Sequence, residues 1–127
     1  MSYKPQNFTV WAEIPVTDMK RAMAFYSAAT GADLTLDESG PNPMAVFQTD
    51  NPELGVAGHL YPGKPANDGQ GPTVHLAASG SIEAIMERVK DAGGAVVSEP
   101  IAIPAGRFVY VRDPDGNSIG FFEGKTG

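Results

Sequence analysis

The feature that most constrains this chain is a repeat inside it. Asp18 and Gly31 bracket one apolar-periodic stretch, and Gly80 and Gly93 bracket a second. The offsets 80 − 18 and 93 − 31 are both 62, close to half of the 127 residues. Ala22 then falls on Ala84, and self-similarity of this kind outranks any reading of a single segment. In the first half Asp18 is a natural N-cap. Met19, Ala22, Phe25, Tyr26 and Ala29 recur at helical spacing until Gly31 ends the helix. In the second half Ser81 is the cap, and Ile82, Ile85, Met86 and Val89 form the apolar face that stops at Gly93-Gly94.

Strand patterns surround both helices. The first half offers residues 8–15, 33–37, 44–49 and 55–61, with a turn at Asp50-Asn51-Pro52-Glu53; the second offers 73–78, 95–97, 108–112 and 118–123. The 15 Gly and 11 Pro punctuate these runs, as in a chain of short strands and tight turns. The expected architecture is α+β: two tandem β-α-β-β-β modules in one domain over residues 1–127. Repeat one runs over about 7–61, a connector over 62–72 and repeat two over about 73–124. Six of the eleven connector residues are Gly or Pro. Residues 100–106 read as an irregular edge segment, since their prolines cannot donate to a ladder.

Charge and cysteine content remove several functions. The net charge is −6 (9 Lys+Arg against 15 Asp+Glu), with no basic stripe to neutralise phosphates, so neither nucleic acid nor an anionic membrane is an expected partner. No apolar run is long enough to span a bilayer. The first six residues lack the apolar core of a signal peptide, which makes the cytoplasm the expected location. With no Cys there is no disulfide, thiol nucleophile or thiolate metal site. Two His rule out a three-His metal site from one chain and leave two His plus a carboxylate as the richest set available.

Three stretches resemble a known family. Ile14-Pro15-Val16-Thr17-Asp18-Met19-Lys20-Arg21-Ala22-Met23-Ala24-Phe25-Tyr26 is similar to the V-x-D-x-x-R-A-x-x-F-Y signature of the vicinal oxygen chelate superfamily. That group includes glyoxalase I, bleomycin-resistance proteins and extradiol dioxygenases. Val111-Arg112-Asp113-Pro114-Asp115-Gly116-Asn117 resembles its D-P-D-G-N hairpin, and Asp91-Ala92-Gly93-Gly94 fits after the second helix. The resemblance implies paired modules whose sheets curl into a cup, an active site in that cup, and a homodimer. Asp113 and Asp115 read as turn residues and not as an acid/base pair, and Tyr26 as a core residue with a hydroxyl able to reach the sheet.

Metal-dependent members hold a divalent cation with ligands from the first and fifth strands and carboxylates or similar groups on the fourth and eighth. The resemblance puts the first-strand ligand at Trp11, its repeat partner at Thr73, and the eighth-strand carboxylate at Gly120. Indole is a donor only, a Thr hydroxyl is a poor ligand and Gly has no side chain, so no metal cage is expected there. Glu13 and His75 are also 62 residues apart and lie on the same strand faces as Trp11 and Thr73. With His59 on the fourth strand they offer a shifted divalent site for Ni, Zn, Mn or Fe. Two metal-free readings stand beside it: His75 as general base oriented by Glu13, and a plain polar pair satisfying the interior.

Alternation along 108–112 turns Val109 and Val111 towards a helix, and Phe108, Tyr110 and Arg112 towards the cup. On 118–123 it turns Ser118, Gly120 and Phe122 to the cup and Ile119 and Phe121 to the helix. Trp11, Tyr110 and Phe122 then form an aromatic wall, with Thr73 and His59 beside it and open room at Gly120. Ordinary core packing is the competing reading. Arg112 is expected to pair with Asp113 or Asp115. Two functional classes follow: a metal-free module binding a small apolar or partly aromatic molecule, with no cofactor, and a metal-dependent lyase, isomerase or dioxygenase using Glu13, His59 and His75.

Overall fold

The computed structural model describes residues 2–51 and 53–123; Met1, Pro52 of the turn read at 50–53, and the last residues of repeat two from 124 onward lie outside them. Helix α1 (Met19–Thr30) starts where Asp18 accepts a hydrogen bond from the Arg21 amide at 3.0 Å. It ends at Gly31, whose φ of 78° is the left-handed conformation that closes a helix. Helix α2 (Ile82–Asp91) starts with Ser81 accepting from the Ala84 amide at 3.1 Å. Both caps stand where the sequence places them, because capping is a contact over three residues.

The first module lays β1 (Ala12–Val16), β2 (Leu34–Asp37), β3 (Met44–Phe47) and β4 (Gly58–Pro62) in the order β1-β4-β3-β2. The second contains β5 (Val74–Ala78), β6 (Ala95–Val96), β7 (Ile101–Ile103), β8 (Gly106–Arg112) and β9 (Ser118–Glu123), ordered β5-β9-β8-β6 with β7 also on β8. Each sheet mixes one parallel pair, β1 with β4 or β5 with β9, with antiparallel neighbours, and neither sheet closes.

Two strand expectations change. Residues 8–11 do not join β1, because β4 begins at Gly58, opposite Ala12, and gives them no partner; Phe8 and Val10 stay exposed. Residues 101–103 do form a strand. Pro100 and Pro104 fall just outside it, so no residue within the strand lacks an amide and the ladder with β8 forms.

The core lies between the helices and one face of each sheet: Ile14, Val16, Ala45 and Leu60 meet Ala22, Phe25, Tyr26 and Ala29, and Val109, Val111, Ile119 and Phe121 meet Ile82, Ile85 and Val89. Arg88 of α2 binds the end of α1, donating to the Ala28 carbonyl at 2.9 Å, the Ala29 carbonyl at 3.0 Å and the Ser79 carbonyl at 2.6 Å. Arg107 bridges Glu83 and Glu123 and holds both carboxyls below their ordinary range, its hydrogen bonds being the main cause. Among the described residues no helix lies on the opposite face of either sheet.

Candidate functional site

On the helix-free face of the second sheet, the ladder sets His75 and Tyr110 on either side of Gly120 and Phe108 opposite Phe122. The rings touch in sequence. His75 lies edge-on to Phe108 at 5.2 Å and to Tyr110 at 5.7 Å, Phe108 meets Tyr110 at 5.3 Å, and Phe108 stacks on Phe122 at 6.3 Å with planes 10° apart. The face assignments read from alternation hold here, since Val109, Val111, Ile119 and Phe121 are buried under the helices. The open room expected at Gly120 is not open. A β-carbon there would stand 2.5 Å from Cε1 and 3.0 Å from Cγ of His75, so the imidazole occupies the space that glycine leaves.

Trp11 does not belong to this aromatic face. It sits at the first sheet, where its indole Nε1 donates to Nδ1 of His59 at 2.9 Å, and Nε2 of His59 lies 3.3 Å from Oε1 of Glu13. Indole has only a proton to give, so Nδ1 must accept and the neutral ring carries its proton on Nε2. Where the repeat symmetry led to Glu13 beside His75, the imidazole beside Glu13 is that of His59. The ladders explain this: Glu13 is opposite His59 in the first sheet, whereas His75 is opposite Gly120 in the second. Among the described residues no group of three or more His, Asp or Glu side chains is placed to hold a metal ion, so Glu13, His59 and His75 do not assemble as one ligand set.

The D-P-D-G-N turn ties the modules together. Asp113, 4% exposed, accepts from the Asp115 and Asn117 amides at 2.9 Å each, from Nδ2 of Asn117 at 2.9 Å and from the Tyr26 hydroxyl at 2.6 Å. Burial pushes the Tyr26 phenol well up from its ordinary range, and the Asp113 carboxylate pushes it further. Asn117 also donates to the Pro15 carbonyl at 2.8 Å, and Asp115 pairs with Arg21 at 2.8 Å. Arg112 reaches neither turn carboxylate expected of it. It faces Asp68 of the connector at 4.0 Å, and the connector is further held by the Gly69 amide on the Gly116 carbonyl at 2.9 Å. Under residues 66–72, where β1 approaches β5 and β9, a cavity of ≈ 150 Å³ lies against Glu13, Val74, Asn117 and Ser118.

The profile of the Glyoxalase/Bleomycin resistance protein/Dioxygenase superfamily matches residues 9–121. The chain belongs to this superfamily. Among solved structures, a glyoxalase/bleomycin resistance protein from Albidiferax ferrireducens T118 is 23% identical, covers 94% of this chain and 100% of its own, and superposes with a TM-score of 0.67. TnmS3, an antibiotic binding protein from Streptomyces sp. CB03234, is 23% identical over 97% of this chain and 100% of its own, with a TM-score of 0.60. The fosfomycin resistance protein FosX from Listeria monocytogenes is 15% identical over 98% and 95%, with a TM-score of 0.67. At these identities the likeness is one of fold. No curated protein sequence matches the chain. No helix among the described residues is long and apolar enough to cross a membrane.

The superfamily's metal positions can now be tested against their surroundings. The Trp11 indole is spent on His59, and the Thr73 hydroxyl is paired with Ser118 at 2.5 Å. Gly120 is covered by His75. Ladder equivalence makes His59 the first-sheet counterpart of Gly120, and His59 has one nitrogen accepting from Trp11 and the other beside Glu13. This donor set does not fit a divalent cation. Sequence reasoning found His59 but missed Tyr61, which lies two residues on along the same strand face and whose ring packs edge-on to His59 at 6.1 Å. Counting one more step of strand alternation would have found it.

Proposed function

We propose that this chain is a small-molecule-binding member of the superfamily, working as a cytoplasmic homodimer without a metal cage. The ligand's flat, apolar or partly aromatic body lies on the helix-free face of the second sheet. One observation carries this reading: Phe108, Tyr110, Phe122 and His75 form a continuous set of rings in mutual contact on a face that no helix covers. Rings of this kind contribute about 0.5–1.5 kcal/mol per aromatic contact beyond the area they bury. Further support comes from the mismatch of Trp11, Thr73 and Gly120 with metal ligation, and from fold neighbours that include an antibiotic binding protein and a fosfomycin resistance protein. A homodimer is supported by apolar side chains left exposed at Phe8, Val10, Val97 and Ile103. Sedimentation showing only monomer would remove that part.

The neutral planar dye Nile red tests the binding face. Phe122→Ala and Tyr110→Ala are expected to weaken Nile red about tenfold each, the equivalent of roughly 1.4 kcal/mol, while far-UV circular dichroism stays that of the wild type. Val56→Ala, at an exposed apolar position on neither ladder, is the control. Equal affinity in all three variants defeats the reading. Titration with Ni²⁺, Zn²⁺, Mn²⁺ and Fe²⁺ is expected to leave the melting temperature unchanged. Stabilisation of about 2.7 kcal/mol at a hundredfold excess over Kd would establish a metal site instead.

A further inference from the structure

One side-chain cluster on the first sheet has no role in the reading above. Trp11, His59 and Glu13 run from the sheet out to solvent, ending in a carboxylate whose side chain is 67% exposed. That carboxylate borders a cavity of ≈ 230 Å³ lined also by Gly40, Pro41, Asn42, Met44, His59 and Tyr61. We propose that this cavity is a binding subsite for a protonated primary amine on a small apolar body, with Glu13 as its anchor.

The carboxylate stands beside an imidazole that is itself fixed. The His59 side chain is only 9% exposed, and the Trp11 indole fixes its ring by donating to Nδ1 at 2.9 Å. Nε2 lies 3.3 Å from Oε1 of Glu13, and the carboxylate accepts no protein hydrogen bond among the described residues.

Glu13 also differs electrically from the other paired carboxylates. Asp68, Glu83, Asp115 and Glu123 each face an arginine and Glu87 faces a lysine, whereas Glu13 faces an imidazole. Among the described residues no Lys or Arg lines the cavity. An ammonium would supply the missing positive charge and the hydrogen-bond donors that the carboxylate lacks. The half-buried Tyr61 ring, Met44 and Pro41 line the same cavity and offer apolar contact. A carboxylate or phosphate ligand would be repelled. The volume is below the range of whole drug-sized pockets, so the occupant is a small amine or the amine end of something larger. None of these residues belongs to the aromatic face, so this proposal and the previous one can fail separately.

The chain carries its own reporter, since Trp11 is its single tryptophan and is bonded to His59. Benzylamine at neutral pH is the probe, with benzyl alcohol as its neutral counterpart, read by Trp11 fluorescence. The expected result is a saturable change with benzylamine, at least tenfold weaker for benzyl alcohol and at least tenfold weaker in Glu13→Gln. Glu13 is exposed enough for that variant to fold, and circular dichroism checks that it does. Equal response to amine and alcohol, unchanged affinity in Glu13→Gln, or no saturation by about 10 mM, beyond the weak millimolar range, each overturns the proposal. An amine response lost in Phe122→Ala but kept in Glu13→Gln would place the amine on the aromatic face and likewise overturn it.

Discussion

Replacing Tyr26 by Phe removes one hydroxyl from the interior and leaves the rest of the packing in place. The ring is fully buried, edge-on to Phe25 at 5.0 Å and to Phe47 at 5.7 Å, and a Phe ring keeps both contacts. What is lost is the 2.6 Å hydrogen bond to Oδ2 of Asp113. Asp113 retains its three bonds from Asp115 and Asn117, so the carboxylate is weakened and not orphaned. A hydrogen bond to a charged group contributes about 1.5–3 kcal/mol. With roughly 2.1 cal/mol/K of unfolding entropy per residue over 127 residues, that loss lowers Tm by roughly 6–11 °C.

The same contact has a pH signature. Burial, with Asp113 second, raises the folded phenol above its ordinary value of 10.0, so folding favours the protonated form. That contribution is present in full below the unfolded value and is lost as pH climbs from there through the folded one. The Phe variant has no such term. Urea unfolding followed by circular dichroism should therefore show a wild-type advantage that is level from about pH 7 to 9 and narrows above about pH 10. A gap under about 0.5 kcal/mol at neutral pH, or one that is unchanged at about pH 11, would refute the reasoning.

Two other outcomes follow from close contacts. Gly120→Ala brings a β-carbon to 2.5 Å from Cε1 of His75 where ordinary contact begins at 3.4 Å, so the exposed imidazole must retreat by about 1 Å. Stability should fall by less than about 2 kcal/mol while the His75 ring-proton resonances shift and Nile red affinity drops; unmoved resonances would contradict the packing described here. Arg88→Met strips three carbonyls of their donor at the join of α1 and α2 and should cost about 2–3 kcal/mol by urea unfolding. A cost under about 0.5 kcal/mol would show that water replaces the guanidinium without penalty.

The sequence alone determined whatever depends on a few neighbouring residues. Asp18, Gly31 and Ser81 mark helix ends because a cap is made within one turn of chain. Alternation sorted Val109 from Tyr110 and Phe121 from Phe122 because a strand has a period of two. Spacing also exposed the duplication, since two copies need only be compared with each other. Tertiary structure decided which distant group arrives beside each side chain. Residues 8–11 have strand character but no strand opposite them, and residues 101–103 gained one despite flanking prolines. Glu13 found His59 and not its repeat mate His75, and Arg112 found Asp68 of the connector. Local pattern fixes backbone and facing direction, whereas a hydrogen-bond partner is chosen by register and chain closure across tens of residues, which no window of sequence contains.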